Sequence, residues 1–539
     1  LSAAPDASER PWDAIVIGSG LGGLTCASLL ARFGKRVLIL ERHTVPGGFT
    51  HTFSRKGFEW DVGVHYVGQV SNPNAIMRKV FDYISGGALK WAAMDPLYDR
   101  AVIAGDVYDF VAGVENQISE LLKSFPDEEI AIRKYYKLVQ SAGTSSAWFF
   151  GEKTMPPWLS RTAGFFLRRK FFRLASKTTY EVMRTLTNNE KLISVLCAQC
   201  GDYGMTPKRS SFGIHSVVVE HYLNGGSYPQ GGAKKIHEAV LGVFRKHGGV
   251  LRLKSEVTLV LVEKGRAVGI ELSSGQKFFA PIIISNVGAR NTFNHLLESN
   301  ASVPARYTSD LHRIRGSTAH ACLYIGLNAS DAELGLPKHN LWIYDQYDFD
   351  EAYDRSLKDP EGAPTLTYIS FPSAKDPEWA EKHPGKATLQ VITSCSYDSV
   401  REWEALPWMK RGEKYLKFKA DLTEKLLQKA YEAVPQIRGK LAHVELSTPL
   451  STRHFMNYES GEIYGLEHSP ARFKLRWLRP RTPIRGLFLT GQDIITVGVG
   501  GALFSGILTA IAVLKAAIFV GFYREYAASK KQKTAETLP

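Results

Sequence analysis

The chain has 539 residues, 44 % hydrophobic and 22 % charged. That length exceeds one hydrophobic core, and the balance excludes fibrous and disordered classes. Sixty-seven Lys and Arg against 53 Asp and Glu leave a formal charge of +14, which suits an anionic surface or ligand; no DNA- or RNA-reading motif accompanies it, so no nucleic-acid partner is expected. Five scattered cysteines form no disulfide framework. Cys197-x-x-Cys200 lacks a second pair to complete a metal site, so it is expected as two small core residues on one helix, with no metal.

Near the N-terminus, "AIVIGSG" reads as a strand, "LTCASLLARFG" as a helix and "RVLILE" as a second strand, the β-α-β crossover of a parallel sheet. Between the first strand and the helix, Gly18, Gly20, Gly22 and Gly23 contain G-x-G-x-x-G. The first glycine permits a tight turn, the second admits a pyrophosphate to the backbone, and the third lets helix and strand pack closely. The helix N-terminus then offers unpaired N–H groups to the phosphates. Glu41 ends the second strand, placed for a ribose hydroxyl. It disfavours a 2′-phosphorylated cofactor of the NADP kind, a conflict that Arg42 only softens. A second glycine pair, Gly47-Gly48, follows almost at once in "ILERHTVPGGFTH", and a simple NAD domain has no need of it.

Residues 101–225 lose the strand–helix rhythm and become helical and polar-aromatic. A strand-rich zone follows, then a mixed aromatic region to about 475, then a strand, a Gly-rich turn and a long apolar helix. The expected architecture is α/β: a discontinuous Rossmann-like FAD-binding domain of the glutathione-reductase kind, from residues 12–100, 226–300 and 476–515. An α+β substrate and membrane-facing domain, 101–225 and 301–475, is inserted into it, and 516–539 form a helix end and basic tail.

"ILERHTVPGGFTHTF" resembles the signature of a large flavoprotein superfamily whose glycine loop crosses beneath bound FAD. "GGSYPQGGAKKIHEAVLGVFRKHGGVLRLKSEV" resembles its middle segment: Gly231-Gly232 open a helix, Gly248-Gly249 end it, and a strand reaches Val257, whose backbone would meet the adenine. "IIISNVG" resembles the strand and turn passing the flavin, and "GLFLTGQDIITVGVGGALFSG" the C-terminal flavin motif. There the resemblance implies that Gly491 and Asp493 hold the ribityl, and that the helix after Gly500-Gly501 points its N-terminus at the pyrimidine. "GVHYVG", "YPQGG", "FPSAKDPEW" and "LTGQDI" are similar to the all-trans-retinol 13,14-reductases, or retinol saturases, among the carotenoid desaturase- and isomerase-related flavoproteins. The likeness runs from about residue 12 to 515; Phe49-Thr50 depart from it, since the animal enzymes carry cysteines there.

That resemblance implies FAD-dependent saturation of a carbon–carbon double bond of a retinoid-type polyene, all-trans-retinol to 13,14-dihydroretinol. It implies a lipophilic substrate and an endoplasmic reticulum membrane location, or a plastid by analogy with the carotenoid isomerases. A carotenoid cis-trans isomerase or desaturase acting on a C40 carotenoid shares the frame, and a flavin-bearing prenyl-lipid carrier is the non-enzyme alternative. No second strand–G-x-G-x-x-G–helix unit is present in the sequence, so a separate, unknown electron donor is expected in place of a built-in NAD(P)H domain. His65, Tyr66 and Tyr464 are the candidate proton donors or pocket walls, since aromatic faces steady a charge spread over a polyene. Residues 158–174, "WLSRTAGFFLRRKFFRL", mix large apolar and basic residues as an interfacial segment does. The run 503–523 has the length of a span, but its first half belongs to the flavin motif; an interfacial contact through 518–523 is the expectation there.

Overall fold

The computed structural model describes residues 11–298 and 303–515. Both ends of the chain and its middle meet in one five-stranded sheet, ordered Val250–Arg252, Val37–Leu40, Ala14–Ile17, Ile283–Ser285, Leu487–Leu489. Every pairing is parallel, and the strands Ala14–Ile17, Val37–Leu40 and Ile283–Ser285 are buried along their whole length. Their unbroken Val, Ile and Leu runs are what a sheet covered on both faces requires. Helices Leu21–Arg32, Lys234–Lys246 and Gly498–Leu514 share the apolar layer over one face. The first and last cross at Gly506, where a Cβ would stand 2.6 Å from the Gly22 carbonyl oxygen; only glycine permits that approach.

One expected strand ends early. The chain leaves the sheet at Arg252 and turns at Lys254, whose φ is +52°. The Lys254 N–H donates to the His43 carbonyl (3.1 Å) and the Ser255 N–H to that of Glu41 (2.8 Å). Val257 therefore begins a separate antiparallel sheet, Val257–Glu263, Arg266–Leu272 and Lys277–Phe279. A turn carries Ser255 and Glu256 past Glu41.

The second large sheet has seven strands, ordered Leu441–Ser447, His320–Leu327, Ala387–Ser394, Leu366–Ser370, Asn340–Tyr344, Leu97–Ile103, Asp106–Val111. Only Asn340–Tyr344 and Leu97–Ile103 pair in parallel. Because Leu97–Ile103 belongs here, the chain enters this sheet before residue 101. Period-two alternation sorts its faces. Ala321, Leu323 and Ile325 pack with Leu426 and Ala430 of helix Gly412–Ala433, while His320, Trp342 and Tyr368 line a cavity on the other side. Helices Glu129–Gly151, Gly164–Ala175 and Phe212–Tyr222 contribute Tyr135, Phe149, Phe171 and Phe212 to the core beyond it.

Cys197 and Cys200 are buried and free, but not on one helix: Cys197 caps Glu190–Leu196, and Cys200 opens the short turn Cys200–Tyr203. Among the described residues no helix is long and apolar enough to cross a membrane. The segments 516–539 and 518–523 singled out in the sequence lie outside the described residues.

Candidate active site

A single cavity of about 850 Å³ runs from Glu41 to the seven-stranded sheet, toward the upper end of the ~300–1,000 Å³ usual for small-molecule sites. Three glycine turns make its near end. Gly18 (φ +91°) turns the chain out of the first strand. Gly20 is the N-cap of Leu21–Arg32 without any side-chain cap, so that helix keeps unpaired N–H groups at the cavity. A Cβ on Gly22 would stand 2.9 Å from the Gly491 nitrogen, and one on Gly48 would stand 3.0 Å from the Gly20 Cα. Gly47 (φ +107°) and Gly491 (φ +98°) hold conformations closed to ordinary side chains. Gly23 lies off the cavity wall; a Cβ there would meet the Gly18 carbonyl at 2.5 Å, so its part is helix–strand packing.

Glu41 is buried and accepts from the Ser19 N–H (2.8 Å), the Ser19 hydroxyl (2.7 Å) and the His43 N–H (2.8 Å). A carboxylate has about four acceptor positions, which leaves one for a ribose hydroxyl. Beside it, Arg42 Nη2 donates to the His454 carbonyl at 3.0 Å, while its buried Nη1 has no partner. Val257 lines the same end. Asp493 clamps two neighbouring loops, accepting from the Ala289 N–H (2.7 Å) and the Leu466 N–H (2.9 Å). A backbone-walled cleft, an uncapped helix, a spare acceptor and an orphan guanidinium nitrogen fit an extended dinucleotide.

Gly500 and Gly501 are not where the sequence motif implied. Helix Gly498–Leu514 faces the cavity through Gly498, Val499 and Ala502. A Cβ on Gly501 would lie 1.9 Å from the Thr496 carbonyl oxygen, so Gly501 is a glycine of close packing, while one on Gly500 would meet only the movable Met77 Cε at 2.7 Å.

The far end is made of side chains. His65 lines it, edge-on to Tyr368 with ring centroids 5.3 Å apart. Burial, then the charges of Lys375 and His320, pushes its pKa down to about 3, so the ring is neutral, with Nδ1 buried and unpartnered. Tyr464 also lines the cavity, and its hydroxyl donates to the Gly201 carbonyl at 3.2 Å. Tyr66, expected beside them, is not on the wall: its ring stacks on Tyr222 at 4.1 Å. Its hydroxyl instead lies between two carboxyls, 2.9 Å from Asp99 and 2.9 Å from Asp202.

Asp202, on the cavity wall, and the buried Asp99 and Lys375 escaped the sequence reading. Lys375 sits inside "FPSAKDPEW" and Asp202 inside "CGDYG", but no spacing marks them, because a sheet face and a turn from distant segments assemble them. Lys375 Nζ donates to the Ser370 hydroxyl (2.8 Å), the His65 carbonyl (3.1 Å) and the Asn340 side-chain oxygen. Burial pushes its pKa down to about 7, against the pull of Asp99 and Asp61.

A dinucleotide cleft on a Rossmann-like sheet, opening into an aromatic chamber, defines a flavin-dependent oxidoreductase. A family model of NAD(P)-binding Rossmann-like domains matches residues 16–84. Cyclohexylamine oxidase from Brevibacterium oxydans shares the fold with a TM-score of 0.61 at 16 % identity, over 96 % of this chain and 100 % of that one. The all-trans-retinol 13,14-reductase of Danio rerio is 35 % identical over 521 residues, 93 % of this chain and 86 % of that protein. A prolycopene isomerase of an Oncidium hybrid is 26 % identical over 523 residues, 93 % of this chain and 83 % of that protein. The chain belongs to the all-trans-retinol 13,14-reductase family.

Proposed function

We propose that this protein binds FAD and saturates one carbon–carbon double bond of a retinoid-type polyene, all-trans-retinol to 13,14-dihydroretinol. The observation that carries this is the continuity of the glycine-built cleft with a chamber walled by Trp342, Tyr344, Tyr368 and Tyr464. Gly20, Gly22 and the uncapped helix would hold the pyrophosphate, Glu41 a ribose, and Gly491 with the Gly498 helix end the flavin. Bound there and reduced by a separate electron donor, the flavin would supply two electrons and one hydrogen to the double bond. The chamber's aromatic faces exclude water and steady charge spread along the polyene, and the neutral His65 adds no cation to oppose it.

The substrate is lipid, and one surface suits a membrane with anionic headgroups. Trp158, Phe165 and Phe166 are 69, 55 and 75 % exposed on helices Pro157–Arg161 and Gly164–Ala175, with Arg161, Arg169, Lys170 and Arg173 exposed among them. Apolar side chains to insert and cations to face phosphate are the two parts of interfacial binding. Arg168 on the same segment turns inward to the buried Glu152 at 2.7 Å, and Lys153 donates to the Ile494 carbonyl, next to Asp493, at 2.6 Å. This face belongs on the endoplasmic reticulum membrane.

Product mass after incubating retinol with flavin-loaded protein, reduced with dithionite in one arm and left oxidised in the other, tests the activity. A gain of two hydrogens supports it. A loss of two indicates a desaturase, unchanged mass with a shifted spectrum an isomerase of the kind its prolycopene relatives are named for, and binding without product a carrier.

A further inference from the structure

The Tyr66 hydroxyl stands 2.9 Å from Asp99 Oδ2 and 2.9 Å from Asp202 Oδ2. A phenol has one proton to donate. It serves one carboxyl; the other contact would set two lone pairs face to face unless that carboxyl carries a proton itself. The surroundings decide which one does. Asp99 accepts from the Asn340 amide (2.9 Å) and the Gln199 amide (2.8 Å) as well as Tyr66, and Asn340 in turn accepts from Lys375. Donors of this kind hold a carboxylate in its charged form. Asp202 has Tyr66 as its one side-chain hydrogen-bond partner among the described residues, and it lines the cavity. Burial and the neighbouring Asp99 push its pKa well above the usual carboxylate value. The hydrogen bonds therefore run in one direction, from the Asp202 carboxyl to Tyr66 and from Tyr66 to the Asp99 carboxylate.

We propose that Asp202 is the acid that protonates the polyene, with Tyr66 as its positioning residue and Asp99 as the ionised end of the chain. This rests on the reductase reading. The double bond gains one hydrogen and two electrons from the reduced flavin and its second hydrogen as the Asp202 proton. The flavin is oxidised, the carbon–carbon bond is reduced, and Asp202 is left a carboxylate that regains a proton from water. The other titratable groups on the chamber wall are poor sources. Burial holds His65 and His320 neutral, at about 3 and 4, and it pushes the Tyr344, Tyr368 and Tyr464 phenols, weaker acids than a carboxyl to begin with, further above their ordinary value.

Two readouts test this on flavin-loaded protein. The first is the infrared carbonyl band of a protonated carboxyl, recognised by its shift in D2O; the second is retinol turnover. Wild type is expected to show the band. Asp202→Asn, which keeps the shape and a bond to Tyr66, is expected to lose both band and turnover, the latter by about 10²- to 10⁴-fold, with flavin content and retinol binding unchanged. Tyr66→Phe is expected to keep the band at an altered frequency and lose about 10-fold in turnover, a loss of roughly 1.4 kcal/mol in barrier terms. A wild-type-minus-Asp202→Asn difference spectrum without that band, the loss of the same difference band in Tyr66→Phe, or an Asp202→Asn enzyme within about threefold of wild type (some 0.6 kcal/mol) overturns the proposal alone. A wild type that shows the band but turns over no polyene overturns the reductase reading and the donor role with it.

Discussion

The two ends of the cavity are built from different material. At the cofactor end the wall is backbone: the turns at Gly18–Gly22, Gly47-Gly48 and Gly491 combine positive φ with approaches that leave a side chain little or no room. At the substrate end the wall is side chain, set by the alternation of a sheet and by a buried Lys375, Asn340, Asp99, Tyr66 and Asp202 chain. A backbone wall recognises what every dinucleotide has, its phosphates and sugars. A side-chain wall can change residue by residue without moving the chain, and so can change substrate.

That contrast is open to breaking. Gly22→Val sets a branched side chain against Gly491, and overpacking of about 1–3 kcal/mol is expected to strip the flavin during purification, read from its absorbance. Gly501→Ala, which meets the Thr496 carbonyl off the cavity wall, is expected to lower Tm first and flavin affinity only as a consequence. If both glycines behave alike, the division between cleft and packing glycines fails. Lys375→Met leaves the His65 carbonyl and Asn340 oxygen without their donor; about 1–3 kcal/mol of stability is expected to go, seen in urea unfolding, with flavin affinity nearly unchanged. Glu41→Gln weakens the hold on Ser19, His43 and the ribose and is expected to cost roughly 1 kcal/mol in flavin affinity, measured by fluorescence titration of the apoprotein, without touching the polyene end.

The smallest effect is a pH slope. Burial, offset by its Asn340, Gln199 and Tyr66 bonds, holds Asp99 at about 6, above the usual carboxylate value near 4. Between those values the folded chain binds a proton that the unfolded chain has released, so this contribution to stability is full below about pH 4 and is lost as pH rises through about 6. Relative to Asp99→Asn, wild type is expected to lose Tm across that interval; parallel melting curves would remove Asp99 from the account.

The same contrast explains what could be read in advance. Gly18 to Gly23, Glu41, Gly47-Gly48 and Gly491 announce themselves, because turns that must meet a cofactor need glycine at fixed intervals. The parallel sheet was equally legible from its apolar runs and crossover helices. Val257 was displaced from its expected strand by a positive φ at Lys254, a conformation that a lysine does not advertise. Gly500 and Gly501 lie off the cavity wall, since glycine serves a tight helix start, as Gly501 does against the Thr496 carbonyl, as well as a cleft. Tyr66 was singled out for the chamber wall but turns away from the cavity, and Asp202, which lines it, was missed. A buried acid gains its meaning from neighbours more than a hundred positions away, Tyr66 and Asp99 here, and one sequence holds no record of that proximity.

The inward pair on the basic helix has a consequence for handling the protein. Glu152 is gripped by Arg168 from the exposed basic helix Gly164–Ala175 and also lies 3.3 Å from Arg479, just ahead of the final sheet strand, while its neighbour Lys153 holds the carbonyl beside Asp493. The mooring and the flavin turn thus share one anchorage. A detergent that loosens the first is expected to alter the colour of the second, so the flavin spectrum itself becomes a gauge of the proposed membrane contact.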